Sequence, residues 1–198
     1  MVRIVKATRL SDRPARMSSR LLCSCAIGAV ALTAPFAPRT AYAQSFQGTA
    51  NVTSMSPGST VTVTPSANTT TVNVGTSNQT VIQWTPTNTA VGGVVQFQDS
   101  GTTANFVSSG VTNYVVLNRI LSPTPADQIR LDGNVNANNG GRIWFYTPGG
   151  FIIGSTARFD VGGLVLSTSD ISETGGLLGP SGNRISFTGA RADSSIQI

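Results

Sequence analysis

The sequence predicts an all-β fold, and three observations carry the prediction. β-branched residues alternate with polar ones in short runs such as Val61-Thr62-Val63 and Val72-Asn73-Val74, the pattern of strands whose successive side chains point to opposite faces. From Phe97 onward, short apolar runs are broken at close intervals by glycine-bearing turns, most densely between Arg142 and Ser172. No interval between these runs is long and polar-periodic enough to hold a crossover helix.

The chain begins with a leader. Seven of its 13 basic residues lie before Gln44, so the net charge of +5 belongs to this segment. A basic start, an apolar run from Leu21 to Thr33, and Ala41-Tyr42-Ala43 form the three parts of a secretory signal, with cleavage leaving Gln44 as the new terminus. Residues 1–43 are therefore assigned as signal peptide and residues 44–198 as one exported domain. Met17 opens an equally good basic start, so the segment before it reads either as an extension or as a misassigned start codon. Both cysteines, Cys23 and Cys25, fall within the apolar run. The mature domain thus has no disulfide, no thiolate for a metal and no cysteine nucleophile, and no metal or cofactor is expected.

From Gln44 onward six arginines face seven acids. A nucleic-acid reader needs a surplus of cations to neutralise phosphates, so that class is excluded. The threonine- and asparagine-rich stretch before Asp99 reads as strands separated by turns at Pro57-Gly58, Ser66-Ala67-Asn68 and Gly75. Beyond it the apolar runs include Tyr114 to Leu117, Ile129 to Leu131, Ile143 to Tyr146, Phe151 to Ile153, Phe159 to Val161, Leu164 to Leu166 and Ile185 to Phe187. Ile143, Leu164 and Ile185 are evenly spaced at 21 residues (164 − 143), as are Phe145, Leu166 and Phe187. Two positions before the first set stand Gly141, Gly162 and Asn183, types that tolerate positive φ. The spacing suggests coils of a solenoid, with a sandwich of short strands as the alternative.

Leu117-Asn118-Arg119-Ile120, Asp132-Gly133, Trp144-Phe145-Tyr146-Thr147-Pro148-Gly149-Gly150 and Val161-Gly162-Gly163-Leu164-Val165-Leu166-Ser167-Thr168 follow one another in an order that resembles the secretion domain of filamentous haemagglutinin-type exoproteins. In that family an Asn-Arg-Val element precedes an Asp-Gly turn, an apolar strand enters an Asn-Pro-Asn-Gly turn, and a Val-Gly-Gly-Leu-Val-Ala-Ser-Thr-like strand follows. The match covers Val115 to Ser172. It implies a right-handed parallel β-helix with N-terminal capping strands, in keeping with the handedness of parallel crossovers. It also implies export by the general secretory machinery of a Gram-negative bacterium, then recognition by an outer-membrane two-partner secretion transporter that delivers the chain to the cell surface or medium. The transporter-recognition residues implied are Asn118, Arg119, Thr147, Pro148, Gly149 and Gly150.

The signature turn departs from the family at Thr147-Pro148-Gly149-Gly150, which loses two asparagines. Proline second and glycine third favour a type II turn, with φ > 0 expected at Gly149. Asn118 is expected to be buried in a turn with its amide paired to backbone, Arg119 to be solvated or locally ion-paired, and Asp132-Gly133 to be a tight turn. The expected mechanism couples folding to transport. Each new coil buries apolar area on the last, which biases movement outward, and a chain without lysine or cysteine and with sparse charge suits threading.

Two alternatives come from other classes. A β-helical polysaccharide-active enzyme would use Asp132, Asp160 or Asp170 as acid and base beside Arg130 or Arg158. Against it, none of these acids lies at the coil spacing from another, and no histidine or lysine serves as base. A self-contained adhesive module would bind host or bacterial cell-surface glycans through its Thr/Asn faces. The sequons at Asn51, Asn68 and Asn78 carry little weight in a bacterial protein. Ser194 to Ile198 reads as the start of a strand, so the chain is expected to be the amino part of a longer exoprotein.

Overall fold

The computed structural model describes residues 44–198, apart from Asn183 and Ala190. The leader residues Ala41 and Ala43 lie outside the described residues. Those described form strands and turns without a helix, and no helix among them is long and apolar enough to cross a membrane. The strands are β1 (Gly48–Met55), β2 (Thr62–Ser66), β3 (Thr69–Gly75), β4 (Gln79–Pro86), β5 (Val94–Gln98), β6 (Thr103–Ser108), β7 (Val115–Ile120) and β8 (Gln128–Leu131). They continue as β9 (Asn134–Ala137), β10 (Arg142–Tyr146), β11 (Gly150–Ile153), β12 (Arg158–Asp160), β13 (Gly163–Ser167), β14 (Asp170–Ile171), β15 (Phe187–Thr188) and β16 (Ser195–Gln197).

Three sheets organise all of them except β14 and β15, which pair with each other. The first runs β1-β4-β7-β10-β13, the second β16-β11-β8-β5 and the third β12-β9-β6-β3-β2. From β4 to β12 the chain visits the sheets in rotation, and each strand pairs in parallel with the strand three further on. The all-β expectation holds, and the sheet arrangement is compatible with a β-helix. Gln79 stands opposite Val115, 36 positions on (115 − 79). Val115 stands opposite Arg142, 27 on (142 − 115), and Arg142 opposite Gly163, 21 on (163 − 142).

The 21-residue repeat therefore holds for one step, with Ile143 opposite Leu164 and Phe145 opposite Leu166. It fails at the next. Phe187 pairs antiparallel with Ile171 and is half exposed, while Ile185 packs on the outside of the first sheet. The glycines of the repeat also act differently from expectation. Neither Gly141 nor Gly162 has positive φ. A Cβ on Gly141 would strike the Tyr114 ring, and one on Gly162 the Gly140 carbonyl. Bare backbone is needed there because neighbouring turns stack closely. Asn183 lies outside the described residues.

The amino end closes two sheets with reversed strands. β1 pairs antiparallel with β4, and β2 antiparallel with β3 through a two-residue turn in which Asn68 has φ 56°. Pro65 is tolerated because β2 is an edge strand. Phe46 reaches the second sheet by an antiparallel bridge to Gln98. Its ring is wholly buried against Phe97 (5.1 Å, stacked) and Trp84 (5.2 Å, edge-on), with Phe106 and Phe145 about 6 Å away. Aromatic pairs at this separation add to the area they bury, so Phe46 fills the amino end of the inner core.

The inner core is filled by Val72, Phe106, Ile82, Val116, Phe145, Val95, Ile129 and Phe151, drawn from all three sheets. At the far end Ile153, Phe159, Leu164, Leu166 and Ile198 line an apolar cavity of about 480 Å³. β16 lies parallel to β11 with Ile196 opposite Phe151, as the strand-like character of Ser194 to Ile198 predicts.

Candidate functional site

β7 places the two singled-out neighbours on opposite faces of the first sheet. Val116 and Ile120 point into the inner core, while Val115 and Leu117 join a second apolar cluster outside it. Asn118 shares the inward face and is 0% exposed. It stands opposite Ile82 on β4 and Phe145 on β10. Its Oδ1 accepts from the Trp84 indole N–H at 3.0 Å and its Nδ2 donates to the Trp144 carbonyl at 3.3 Å. The expectation of a buried, backbone-paired amide is met, but within a strand rather than a turn. An amide in an apolar core demands partners, and Trp84 is the partner the sequence did not point to.

Arg119 points outward, its side chain 15% exposed, and is held on three sides. Nε donates to Asp170 Oδ1 at 2.9 Å, Nη2 to the Ile171 carbonyl at 2.7 Å, and Nη1 pairs with Glu173. Desolvation works against its charge, but hydrogen bonds to Glu173 and Asp170, with their negative charge, outweigh it and raise its pKa above the usual guanidinium value. Tyr146, nearby on β10, has its phenol pKa raised by burial and by Asp170, against the lowering influence of Arg119. Arg119 is thus the locally ion-paired residue expected of it, and it pins a segment more than fifty residues downstream.

That segment is the feature the sequence reading missed. Ile171 and Leu177, both buried, lie over Val81, Val115, Leu117 and Trp144 on the outer face of the first sheet, with Leu178 and Ile185 at the margin. Gln79 Oε1 accepts from the Leu177 N–H at 2.5 Å. A signal for it existed. Val115, Val116 and Leu117 form an unbroken apolar run in β7, and such runs mark strands buried on both faces.

The turn Thr147 to Gly150 joins β10 to β11 and is packed against the backbone at Asp127 and Ser195. Thr147 is buried and its N–H donates to the Ser167 carbonyl at 3.2 Å. A Cβ on Gly149 would collide with the Asp127 carbonyl, and one on Gly150 with that of Ser195. Positive φ falls on Gly150, at 104°, and not on Gly149, so the type II geometry expected for Pro148-Gly149 is not what forms. Close approach to Asp127 is what requires glycine at position 149, and Gly150 already belongs to β11. Pro148 is the partly exposed member. Similarly, Gly133 has no positive φ. A Cβ there would stand only 2.7–2.8 Å from Gln98 Nε2 and the Thr102 and Asp99 carbonyls.

The structure does not bring Asn118 and Arg119 together as one surface, since one faces the core and the other the exterior. Gln44, the first described residue, donates from Nε2 to the Gly48 carbonyl at 3.3 Å. The aspartates weighed for catalysis are dispersed. Asp132 follows β8 and accepts from Arg130 Nε at 2.7 Å and Gln96 Nε2 at 2.9 Å, Asp170 belongs to the Arg119 cluster, and Asp160 ends β12 on the third sheet. Among the described residues no group of three or more His, Cys, Asp or Glu could hold a metal ion.

No family model and no curated protein matches the chain. Among solved structures, it is similar to the crystal structure of the HMW1 secretion domain from Haemophilus influenzae, with 24% identity, a TM-score of 0.49 and 64% of this chain covered. The match spans 28% of that longer chain.

Proposed function

We propose that this chain is the secretion domain of a filamentous haemagglutinin-like exoprotein, a right-handed parallel β-helix that an outer-membrane partner transporter recognises. The general secretory machinery carries it across the inner membrane, and it folds coil by coil as it emerges at the cell surface or into the medium. One observation carries the reading. Three of the apolar motif strands of the resemblance, β7, β10 and β13, are successive neighbours in one sheet, with Asn118 opposite Phe145 and Phe145 opposite Leu166. A stack of parallel rungs grows by adding each strand to the edge already laid down, which is the geometry that folding-driven export needs.

The test follows the protein into the medium in cells with and without a candidate outer-membrane partner transporter. Gly149 and Gly150 have no room for a Cβ, so replacing the whole turn by alanines would confuse recognition with folding. Pro148→Ala and Arg119→Gln avoid those positions, and the urea midpoint of each purified variant serves as the folding control. Periplasmic retention of folded variants is expected, and undiminished release of both would sink the recognition role.

A second reading, a glycan-binding adhesive module, draws on the outer face of the third sheet. There Thr71, Asn105, Asn136 and Asp160 stand opposite one another on β3, β6, β9 and β12, and Asn136 Nδ2 donates to Asn105 Oδ1 at 3.2 Å. Such a polar ladder suits the hydroxyls of a saccharide chain. Saturable binding of neutral or acidic polysaccharides, abolished by Asn105→Ala with Asn136→Ala, would support it. We assign no catalytic role, and cleavage of an acidic polysaccharide by the purified domain would overturn that assignment.

A further inference from the structure

We propose that leader removal and folding occur in a fixed order that the fold itself enforces. Residues 44–47 enter a closed seat at the amino end of the core, so the Ala43–Gln44 bond is open to a signal peptidase only before they dock. On the reading of residues 1–43 as a secretory signal, from which this follows, the peptidase must meet the exported domain unfolded.

The junction runs straight into the core. Ser45 and Phe46, the residues that follow Gln44, are both 0% exposed. The Phe46 N–H donates to Thr70 Oγ1 at 3.0 Å, the Gln47 N–H to the Phe97 carbonyl at 2.7 Å, and the Thr87 N–H to the Gln47 carbonyl at 2.9 Å. Gln98 Nε2 donates both to Ser45 Oγ and to the Asn134 carbonyl, each at 2.9 Å. Thr70 and Gln98 are themselves buried, so breaking these bonds leaves polar groups without partners in a dry site. Gln44 is tied as well, its Nε2 donating to the Gly48 carbonyl at 3.3 Å and its own carbonyl accepting from Gln47 Nε2 at 2.7 Å.

Proteolytic nicking concentrates where the chain is exposed and weakly held, and a protease grips its substrate as an extended segment on both sides of the bond it cuts. Residues 44–47 cannot offer that segment while docked. The Phe46 and Gln47 N–H groups already point at Thr70 and Phe97, and the Phe46 ring would have to leave Phe97 and Trp84.

The seat is also finished late. It draws on Thr70 of β3, Trp84 of β4, Phe97 and Gln98 of β5, Phe106 of β6 and Phe145 of β10. A chain that emerges amino end first therefore presents its junction well before the residues that bury it. Docking closes the window, and a precursor that folds uncut keeps its leader.

The test substrate is the full precursor, residues 1–198, refolded in detergent micelles and mixed with detergent-solubilised signal peptidase. Its control is a peptide of residues 17–60, which carries the leader and the junction but none of the seat. Mass spectrometry follows the appearance of chains beginning at Gln44. The peptide is expected to be cut, and the folded precursor more slowly by about ten-fold or more, because cleavage of a docked segment tracks the population of its opened form. Thr70→Val leaves the cleaved sequence untouched but strands the buried Phe46 N–H, and should speed cutting of the folded precursor about five-fold or more. Equal rates for peptide and folded precursor, or no acceleration in a folded Thr70→Val precursor, overturn the proposal and leave the leader assignment intact. A peptide left uncut after Ala43 removes the leader assignment and the proposal with it. Hydrogen exchange of the mature chain decides without any variant. The Phe46 and Gln47 amides should exchange only with global unfolding, alongside the Leu121 amide that bonds the Trp84 carbonyl, and earlier exchange through fraying of the amino end would also overturn it.

Discussion

Trp84 donates its indole N–H to the side-chain oxygen of Asn118 at 3.0 Å, beside the aliphatic and aromatic side chains of the inner core. The bond ties β4 to β7 from within, and the Asn118 Nδ2 to Trp144 carbonyl bond extends the tie to β10. Three consecutive strands of the first sheet thus share one buried amide.

Removing that amide strands a donor where no water reaches. Asn118→Ala should lower stability by about 2–3 kcal/mol, combining an unsatisfied indole N–H with a small cavity. Asn118→Leu should recover little, since it restores volume without an acceptor. Urea midpoints, with Trp emission as the probe, would check both. A midpoint unchanged in Asn118→Leu would show that Trp84 finds another partner.

Phe46 fills the amino end of the inner core, and its loss should be felt throughout. Phe46→Ala should cost about 3–5 kcal/mol, the range for deleting a buried aromatic ring. Phe46→Leu should cost distinctly less. Calorimetry of the two variants would separate a plug filled by volume from one that depends on the edge-on contact with Trp84.

Tyr114 gives the fold an alkaline limit. Its hydroxyl donates to the Phe106 carbonyl at 2.8 Å, and burial pushes its pKa up from 10.0 to about 12. The folded state holds this proton more tightly than the unfolded chain does, so the stabilisation is complete below pH 10 and is lost as pH climbs toward 12. Tyr114→Phe should weaken folding at neutral pH by about 1 kcal/mol and flatten the decline above pH 10. Denaturation at stepped pH would show a persistent slope if the phenol is not responsible, less a share from Tyr146, which is shifted in the same direction.

Gly149→Ala tests the packing of the signature turn. With the Asp127 carbonyl where the new methyl would go, neighbouring turns must part, at a cost of about 1–3 kcal/mol. Gly58→Ala, at an open position with φ 76°, should cost only the backbone strain of a side chain at positive φ, about 1 kcal/mol. Thermal melts showing equal losses at the two sites would refute the close-approach account.

Much of this architecture was legible in the residues. Alternation marked the strand character of Val63 and Val72, and the spacing of Ile143 and Leu164 anticipated one true register step. What misled was the assumption of a fixed period. Connections of different length separate the earlier paired strands of the first sheet, so only the β10 to β13 step has 21 residues, and Ile185 and Phe187 match it numerically while lying elsewhere. Glycine was read through φ, whereas Gly133, Gly141, Gly149 and Gly162 are set by neighbouring atoms no local rule can see. Burial of Asn118 was anticipated. Its bond to Trp84, 34 positions away, and the Arg119 clamp on Asp170 and Glu173 were not, because pairings at that separation exist only once the strands of the sheet are paired.

The shortening of successive windings, from 36 residues to 27 to 21 between paired positions on the first sheet (115 − 79, 142 − 115, 163 − 142), has a kinetic corollary. Loop-closure entropy grows as the logarithm of the length enclosed, so the final winding closes for about 0.5 kcal/mol less than the first. For a chain delivered residue by residue at constant speed, the interval between completed turns also contracts. Condensation would accelerate as synthesis of the structure proceeds, with its slowest moment at the outset.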